Sequence, residues 1–439
     1  MDLLLKNALC VDPDVGLEVP TPRDILVREG CIAQVAEPGC LDESELASAA
    51  GSEVYDLTGL VLMPGLMDMH VHLRDPGQEY KEDIASGSQA AVKGGFTAVL
   101  AMPNTNPVVD KGSVVGYILE KAAQTAACRV FVSGALTSNE KGDALSEMGD
   151  MLAAGAVAFT DDGRGVQDAG VMRMAMEYAA SLGAPVLSHC QTESLVGAGQ
   201  VNEGVISTSL GLAGWPAAGE ETQIARDIAL CELTGCSLHI QHLTTAAGLD
   251  LVRRAKALGL PVTCEVTPHH LFLTEEALDS SYNTNLKMNP PLRTAADATA
   301  LQAGLAAGDI DCIATDHAPH AAHEKALEFE LAPFGTTGLE TALGLLLTRL
   351  VTPGKLSLAQ LVEHLSHAPR RILGIPPVSL SAGSAADITV IDPDVEWEVG
   401  MEDFASKSKN SAFIGWRLKG RATDVFVGGK AVLIGGELA

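Results

Sequence analysis

Basic residues are scarce in this 439-residue chain: 29 Lys and Arg stand against 56 Asp and Glu, a formal net charge of −27. A surface of that sign repels phosphate backbones and anionic lipid heads, which argues against nucleic acid and membranes as partners. Paired cysteines are missing too. The nine cysteines are scattered singly with no CxxC spacing, several of them in apolar strand-like runs, and read as reduced core thiols. No stretch reaches the roughly 18 apolar residues that a membrane-spanning helix requires, and the opening MDLLLKNALC has an early acid and no basic region. A cytoplasmic protein is expected. Apolar residues, by contrast, make up 47% of the chain, enough to bury a sizeable core, so disorder is excluded.

From about residue 64 one phrase recurs: an amphipathic helical stretch, a Gly or Pro break, then a short run rich in Val, Ile, Ala and Thr. Eight such runs fall at 66–70, 97–102, 129–134, 156–160, 185–189, 237–242, 261–266 and 311–315. Helical segments separate them at 81–93, 113–126, 169–182, 222–234 and 296–307. Near-continuous apolar strands alternating with helices indicate a parallel sheet covered by helices. An open doubly wound sheet usually carries a Gly-rich phosphate loop after its first strand, and here that position reads HVHLRDPG. The predicted fold is therefore α/β, a (β/α)8 TIM-like barrel over residues 64–376. Segments 1–63 and 377–439 look all-β, and neither is long enough for a core of its own. They are expected to pair with each other in one small β-sandwich beside the barrel.

Ten of the twelve histidines lie between residues 70 and 323, and several fall where a predicted strand ends. In a (β/α)8 barrel those C-terminal ends converge on one cavity. The set is His70 and His72 after the first strand, Asp161 or Asp162 after the fourth, His189 after the fifth, His242 after the sixth and Asp316 after the eighth. Alternate strand residues share a side, so His70 and His72 can present two imidazoles to a single cation. Each histidine alone would more often be a satisfied buried side chain; the weight lies in their company. Mixed imidazole and carboxylate ligation suits zinc, with manganese or iron also compatible by ligand type. Four imidazoles and two carboxylates exceed one open tetrahedral site, so a pair of ions bridged by a carboxylate of the TDDG stretch is the natural solution. A strand-terminal Asp316 would ordinarily cap a helix or bond a loop. Beside an activated water it can instead accept a proton and pass it to a leaving nitrogen.

With these residues assembled the chain resembles the dihydroorotases of the cyclic amidohydrolase superfamily. The resemblance rests on PGLMDMHVHLRDPGQEYKEDIASGS, AMPNTNPVVD, VTPHHLFLTE, NTNLKMNPPLRT, IATDHAPH, APFGTTGLETALGLLLT and FIGWRLKGR, and it covers nearly the whole chain. It implies zinc-dependent, reversible cyclisation of N-carbamoyl-L-aspartate to (S)-dihydroorotate in pyrimidine biosynthesis. It implies two Zn2+ per subunit, one held by His70, His72 and Asp316, the other by His189 and His242, with Asp162 bridging. Many relatives bridge their metals with a carboxylated lysine, whereas VAFTDDG offers none, so the chain resembles the subgroup that uses aspartate. Arg74, Asn104 and His320 are implied as receptors for the substrate carboxylate, beside His72, with Asn289, Phe334 and Gly335 lining the ring. The alternative for Arg74 is a salt bridge to Asp75 or Glu79.

Gln191 stands where the resemblance leads one to expect an acid, and is read as altering a local hydrogen bond without touching the ligand set. His269 and His270 are expected to pack behind the site, His317 and His323 to be loop residues, and His364 and His367 to be surface groups. The loop 317–333 is expected to fold over the substrate. A homodimer and an association with aspartate carbamoyltransferase are the protein partners the resemblance raises. The rival readings are a hydantoinase or allantoinase, and a metal-free scaffold for aspartate carbamoyltransferase. The second requires lost ligands, and the set here is complete.

Overall fold

A computed structural model of the protein describes residues 2–41 and 52–439, so residues 1 and 42–51 of the expected N-terminal β segment lie outside the described residues. Eight parallel strands hydrogen-bond in chain order: Leu66–Val71, Phe96–Ala101, Arg129–Gly134, Ala156–Phe159, Val186–Ser188, Leu238–Ile240, Val262–Val266 and Cys312–Ile313. Each coincides with a predicted run. The eighth returns to the first through a parallel bridge between Val71 and His317, and the His72 N–H donates to the His317 carbonyl at 2.9 Å. The first two strands are buried at every residue, as strands covered on both faces must be.

Local chemistry sets the helix boundaries. The helix expected from residue 81 begins at Ile84, because Asp83 and Ser86 form a reciprocal capping box ahead of Ile84–Lys93. Asp168 accepts from the Gly170 and Val171 N–H groups at the start of Ala169–Leu182, and Gly183 in the left-handed region ends it. Thr294 and Asp297 cap Ala295–Ala307 with a second reciprocal box.

The terminal segments meet in one nine-stranded sheet, joined where Val61–Pro64 runs antiparallel to Ile388–Glu398. Leu3, Leu5, Ile25 and Val27 from the N-terminal part close on Ile388, Val390 and Phe426 from the C-terminal part, so each half completes the other's core. The bidentate pair from Arg129 to Asp387, at 2.6 and 2.9 Å, fastens this sheet to the barrel. The C-terminal stretch around 406–410 leaves the sheet and crosses the barrel mouth, where Asn410 accepts from the His320 N–H at 3.0 Å and donates to the Ala318 carbonyl at 3.2 Å.

His364 and His367 correct the expectation of surface groups: both are buried. His364 Nδ1 donates to the Asp311 carbonyl at 2.9 Å, and His367 is wedged between Asp12 and Asp14, each at 3.2 Å. Their helix face packs under the barrel and against the small sheet, a contact no helical periodicity can reveal.

Candidate active site

At the C-terminal mouth of the barrel a cavity of about 240 Å³ is lined by His72, Arg74, Asn104, Asp162, His189, His242, Asn289, Asp316, His320, Phe334 and Gly335. These are all the expected site residues except His70, which is fully buried and in contact with Asp162. Strand ends and the loops that follow them deliver these side chains from around the mouth, as the barrel geometry requires.

Asp162 is the centre of the group. One of its oxygens lies 3.3 Å from His70 Nε2, 3.6 Å from His189 Nδ1 and 3.9 Å from His242 Nε2; the other lies 3.4 Å from His72 Nε2. Asp316 Oδ1 lies 3.0 Å from His72 Nε2 and 3.6 Å from His70 Nε2. Asp161 is spent elsewhere, accepting from the Leu136 and Thr137 N–H groups at 2.8 and 3.0 Å and from the Thr137 hydroxyl. Of the two TDDG acids, Asp162 is the one that faces the imidazoles.

The outer partners orient the rings. His70 Nδ1 lies 2.6 Å from Glu265 and His72 Nδ1 2.9 Å from the Asn104 amide oxygen, so both Nε2 atoms face Asp162 and Asp316. His189 Nδ1 and His242 Nε2 stand 2.8 Å apart on the other side. Burial and the neighbouring imidazoles push His242 down to about 3, which keeps it neutral with a lone pair to offer. Burial pushes the Asp162 carboxyl up, but the imidazoles, His70 foremost, outweigh it and hold the carboxyl well below the ordinary range. Among the described residues His70 Nε2 and His242 Nδ1 have no hydrogen-bond partner. His70, His72 and Asp162 form one group with converging ligand atoms, and Asp162, His189 and His242 a second. Buried imidazoles around a shared carboxylate, with His70 Nε2 left without a partner beside it, fit a pair of divalent cations.

Three residues at the mouth take backbone angles that side chains rarely adopt: Arg74 at φ 58°, His242 at φ 32° and Asp316 at φ 47°. Such strain persists only where surrounding structure enforces it, and it gathers at working sites. Gly335 at φ 136° is needed because a Cβ there would stand 2.8 Å from the Ala318 carbonyl oxygen.

Arg74 is buried, and its Nε–H donates to the Pro319 carbonyl at 3.2 Å, which aims the guanidinium across the cavity instead of toward Asp75 or Glu79. Asp75 pairs with Lys121 at 2.7 Å. His320 Nε2–H donates to the Phe334 carbonyl at 2.7 Å, and burial followed by the Arg74 charge pushes its pKa far down, so the ring is neutral. Asn104 also reaches the central carboxylate, its Nδ2 donating to Asp162 Oδ2 at 3.2 Å.

Gln191 corrects an expectation. Its Oε1 accepts from His189 Nε2 at 3.0 Å and from Asn289 Nδ2 at 3.2 Å, so it does touch the cluster, orienting one imidazole and one cavity-lining amide. His317 is buried at the barrel seam instead of lying in an open loop, with Nε2 3.5 Å from Glu82. His269 and His270 pack behind the site as expected, His270 donating to the Pro290 carbonyl at 2.9 Å.

Glu265 is the residue that sequence reasoning missed. It accepts from His70, from the His242 N–H at 3.2 Å and from His239 Nε2 at 3.2 Å. The signal was available: a lone carboxylate inside the apolar strand VTCEV must find partners. His239, Glu265 and Cys312 form a third close group, but both Glu265 oxygens serve imidazoles and His239 Nδ1 bonds Thr263 at 2.9 Å, so it reads as a support beneath the site.

Residues 59–247 match the family described as Dihydro-orotase-like. The dihydroorotase of Citrifermentans bemidjiense is 48% identical over 98% of this chain and 99% of its own length. That of Geobacter sulfurreducens is 50% identical over the same shares. Among solved structures, the L-hydantoinase of Arthrobacter aurescens aligns with a TM-score of 0.88 at 28% identity, covering 100% of this chain and 97% of that one. With the relatives matching end to end at nearly half of all positions, the chain belongs to the dihydroorotase family.

Proposed function

We propose that the protein interconverts N-carbamoyl-L-aspartate and (S)-dihydroorotate, and that His70, His72 and Asp316, His189 and His242, and the shared Asp162 are the residues that would hold two zinc ions. The observation that carries this reading is Asp162 standing within 4 Å of four imidazoles in a cavity that also holds Arg74. Dihydroorotases are metal-dependent amidohydrolases, and the buried donor set fits that chemistry. When bound, the cations polarise the ring amide carbonyl and bring the pKa of water from 15.7 towards roughly 7.

The chain's own residues do the rest. In ring opening Asp316 takes the proton of the attacking water and delivers it to the departing ring nitrogen; in ring closure it begins protonated and the proton moves in reverse. Asp316 can serve because its second oxygen is not engaged by His70 or His72. The Arg74 guanidinium grips the substrate carboxylate through parallel hydrogen bonds, which the acidic exterior could never provide. The Asn104 amide completes that receptor, and His320 lines it with its one N–H held by the Phe334 carbonyl. Nine free cysteines accord with a reducing, cytoplasmic setting, and among the described residues no helix is long and apolar enough to cross a membrane.

The deciding experiment combines metal analysis of protein purified without chelators with assays in both directions. Near two equivalents of zinc and activity on both substrates are expected; a metal-free, inactive protein sinks the reading. A hydantoinase-type activity is the second reading, with which the likeness to the Arthrobacter enzyme is consistent. A rate comparison on dihydroorotate, hydantoin and allantoin separates the two, with dihydroorotate expected to lead.

Two variants probe the supports. Arg74→Ala is expected to lower kcat/KM by about one to two decades, the cost of one charged hydrogen bond, with Lys at this position failing to restore it. Glu265→Gln is expected to weaken metal affinity by about 10- to 100-fold, read by competition with a chelator at unchanged circular dichroism. Wild-type metal retention in that variant would remove Glu265 from the metal centre.

A further inference from the structure

We propose that Lys287 and Lys325 are positioning residues that pin the backbone of residues 329–335 and so hold Phe334 and Gly335 as one wall of the substrate cavity. The identity of the substrate rests on the dihydroorotase reading; the geometry does not. Lys287 Nζ donates to the carbonyls of Phe329 at 2.7 Å, Glu330 at 3.1 Å and Ala332 at 2.6 Å. Lys325 Nζ donates to the carbonyls of Pro333 at 3.0 Å and Gly335 at 2.9 Å. Two ammonium groups thus take up five of the seven carbonyls in a stretch that has no helix or strand of its own. Lys287 also stands 4.5 Å from the centroid of the Phe334 ring, and its own carbonyl accepts from the Gly335 N–H at 2.8 Å. Side chain and backbone of one lysine therefore fix both wall residues.

The cost of this arrangement argues for a purpose. A lysine ordinarily keeps its ammonium in water, and burying the charge is unfavourable unless it is fully satisfied. Lys287 is 2% exposed and Lys325 8%, and among the described residues neither forms an ion pair. Burial pushes Lys287 down to about 8 and Lys325, with Lys287 as its neighbour, to about 7. The expected mobile cover at 317–333 is consequently fastened at its distal end. Asn410 secures the same corner, donating to the Gly335 carbonyl at 3.1 Å.

The test uses the metal-loaded full chain with Lys287→Met and Lys325→Met made separately. KM for dihydroorotate is expected to rise about tenfold or more while kcat falls by less than about threefold, because the wall binds substrate and does not move the proton. Metal content should equal that of the wild type, and amide hydrogen exchange should accelerate in 329–335 but not in the barrel strands. An unchanged KM, or a loss confined to kcat, overturns the proposal. Should Lys287→Met not fold, Lys325→Met and wild-type exchange decide it: 329–335 exchanging as fast as a free surface loop would also overturn it. A wild-type protein inert toward dihydroorotate would defeat the functional reading instead, and the exchange measurement would still judge the lysines.

Discussion

Asp316→Asn is expected to lower both ring opening and ring closure by roughly 10³ to 10⁴-fold while metal content stays at the wild-type level. The amide keeps the size of the side chain and an oxygen to face His72, which lies 3.0 Å away, but it cannot carry a proton. One group serves as base in one direction and acid in the other, so the two directions should fall together. Steady-state rates in both directions, taken with metal content on the same sample, check this. Activity within about tenfold of wild type would assign the proton transfer to another group.

The second large effect belongs to Asp162→Ala. This carboxylate is shared by both imidazole groups, lying 3.3 Å from His70 and 3.6 Å from His189. Without it two adjacent dications would face each other with no anion between them, and Coulomb repulsion at such range in a buried site is severe. Loss of at least one metal equivalent and of activity is expected. Thermal unfolding supplies an independent readout. A ligand at one hundred times its Kd stabilises a folded protein by about 2.7 kcal/mol, so added zinc should raise the Tm of metal-stripped wild type and leave that of the variant nearly unmoved. An equal zinc-induced rise in both proteins would show that Asp162 is not the bridge.

Much of the fold was legible because its signals are local. The eight apolar runs are strands since residues covered on both faces must be apolar, and the Ala169–Leu182 helix matches its predicted span because Asp168 and Gly183 mark its ends chemically. His70, His72, His189 and His242 were legible by position, each at a strand end where barrel geometry makes distant residues neighbours. The pairing of the two terminal segments followed from size alone, since neither could bury a core.

Other features lie in contacts between parts remote along the chain. His364 and His367 carry a helical pattern compatible with solvent, and the barrel and the small sheet packing on their face bury them. Gln191 differs from the residue expected there, but that it reaches His189 depends on a turn no composition describes. Glu265 stands out in sequence as a carboxylate inside an apolar strand, but its partners appear only when the elements carrying His70, His239 and His242 are set around it. Lys287 and Lys325 acquire their role only when the loop after the eighth strand wraps its carbonyls about them.

The amino-acid sequence by itself determined the barrel, its companion sheet and the roster of imidazoles and acids at the mouth. Periodicity, capping and strand ends are properties of neighbouring residues. The tertiary structure decided how the acids of TDDG stand relative to the imidazoles, which ring nitrogens face inward and which buried groups brace the cavity. Those are set by distances of about 3 Å between side chains tens to hundreds of residues apart, and hydrogen bonding depends on such distances.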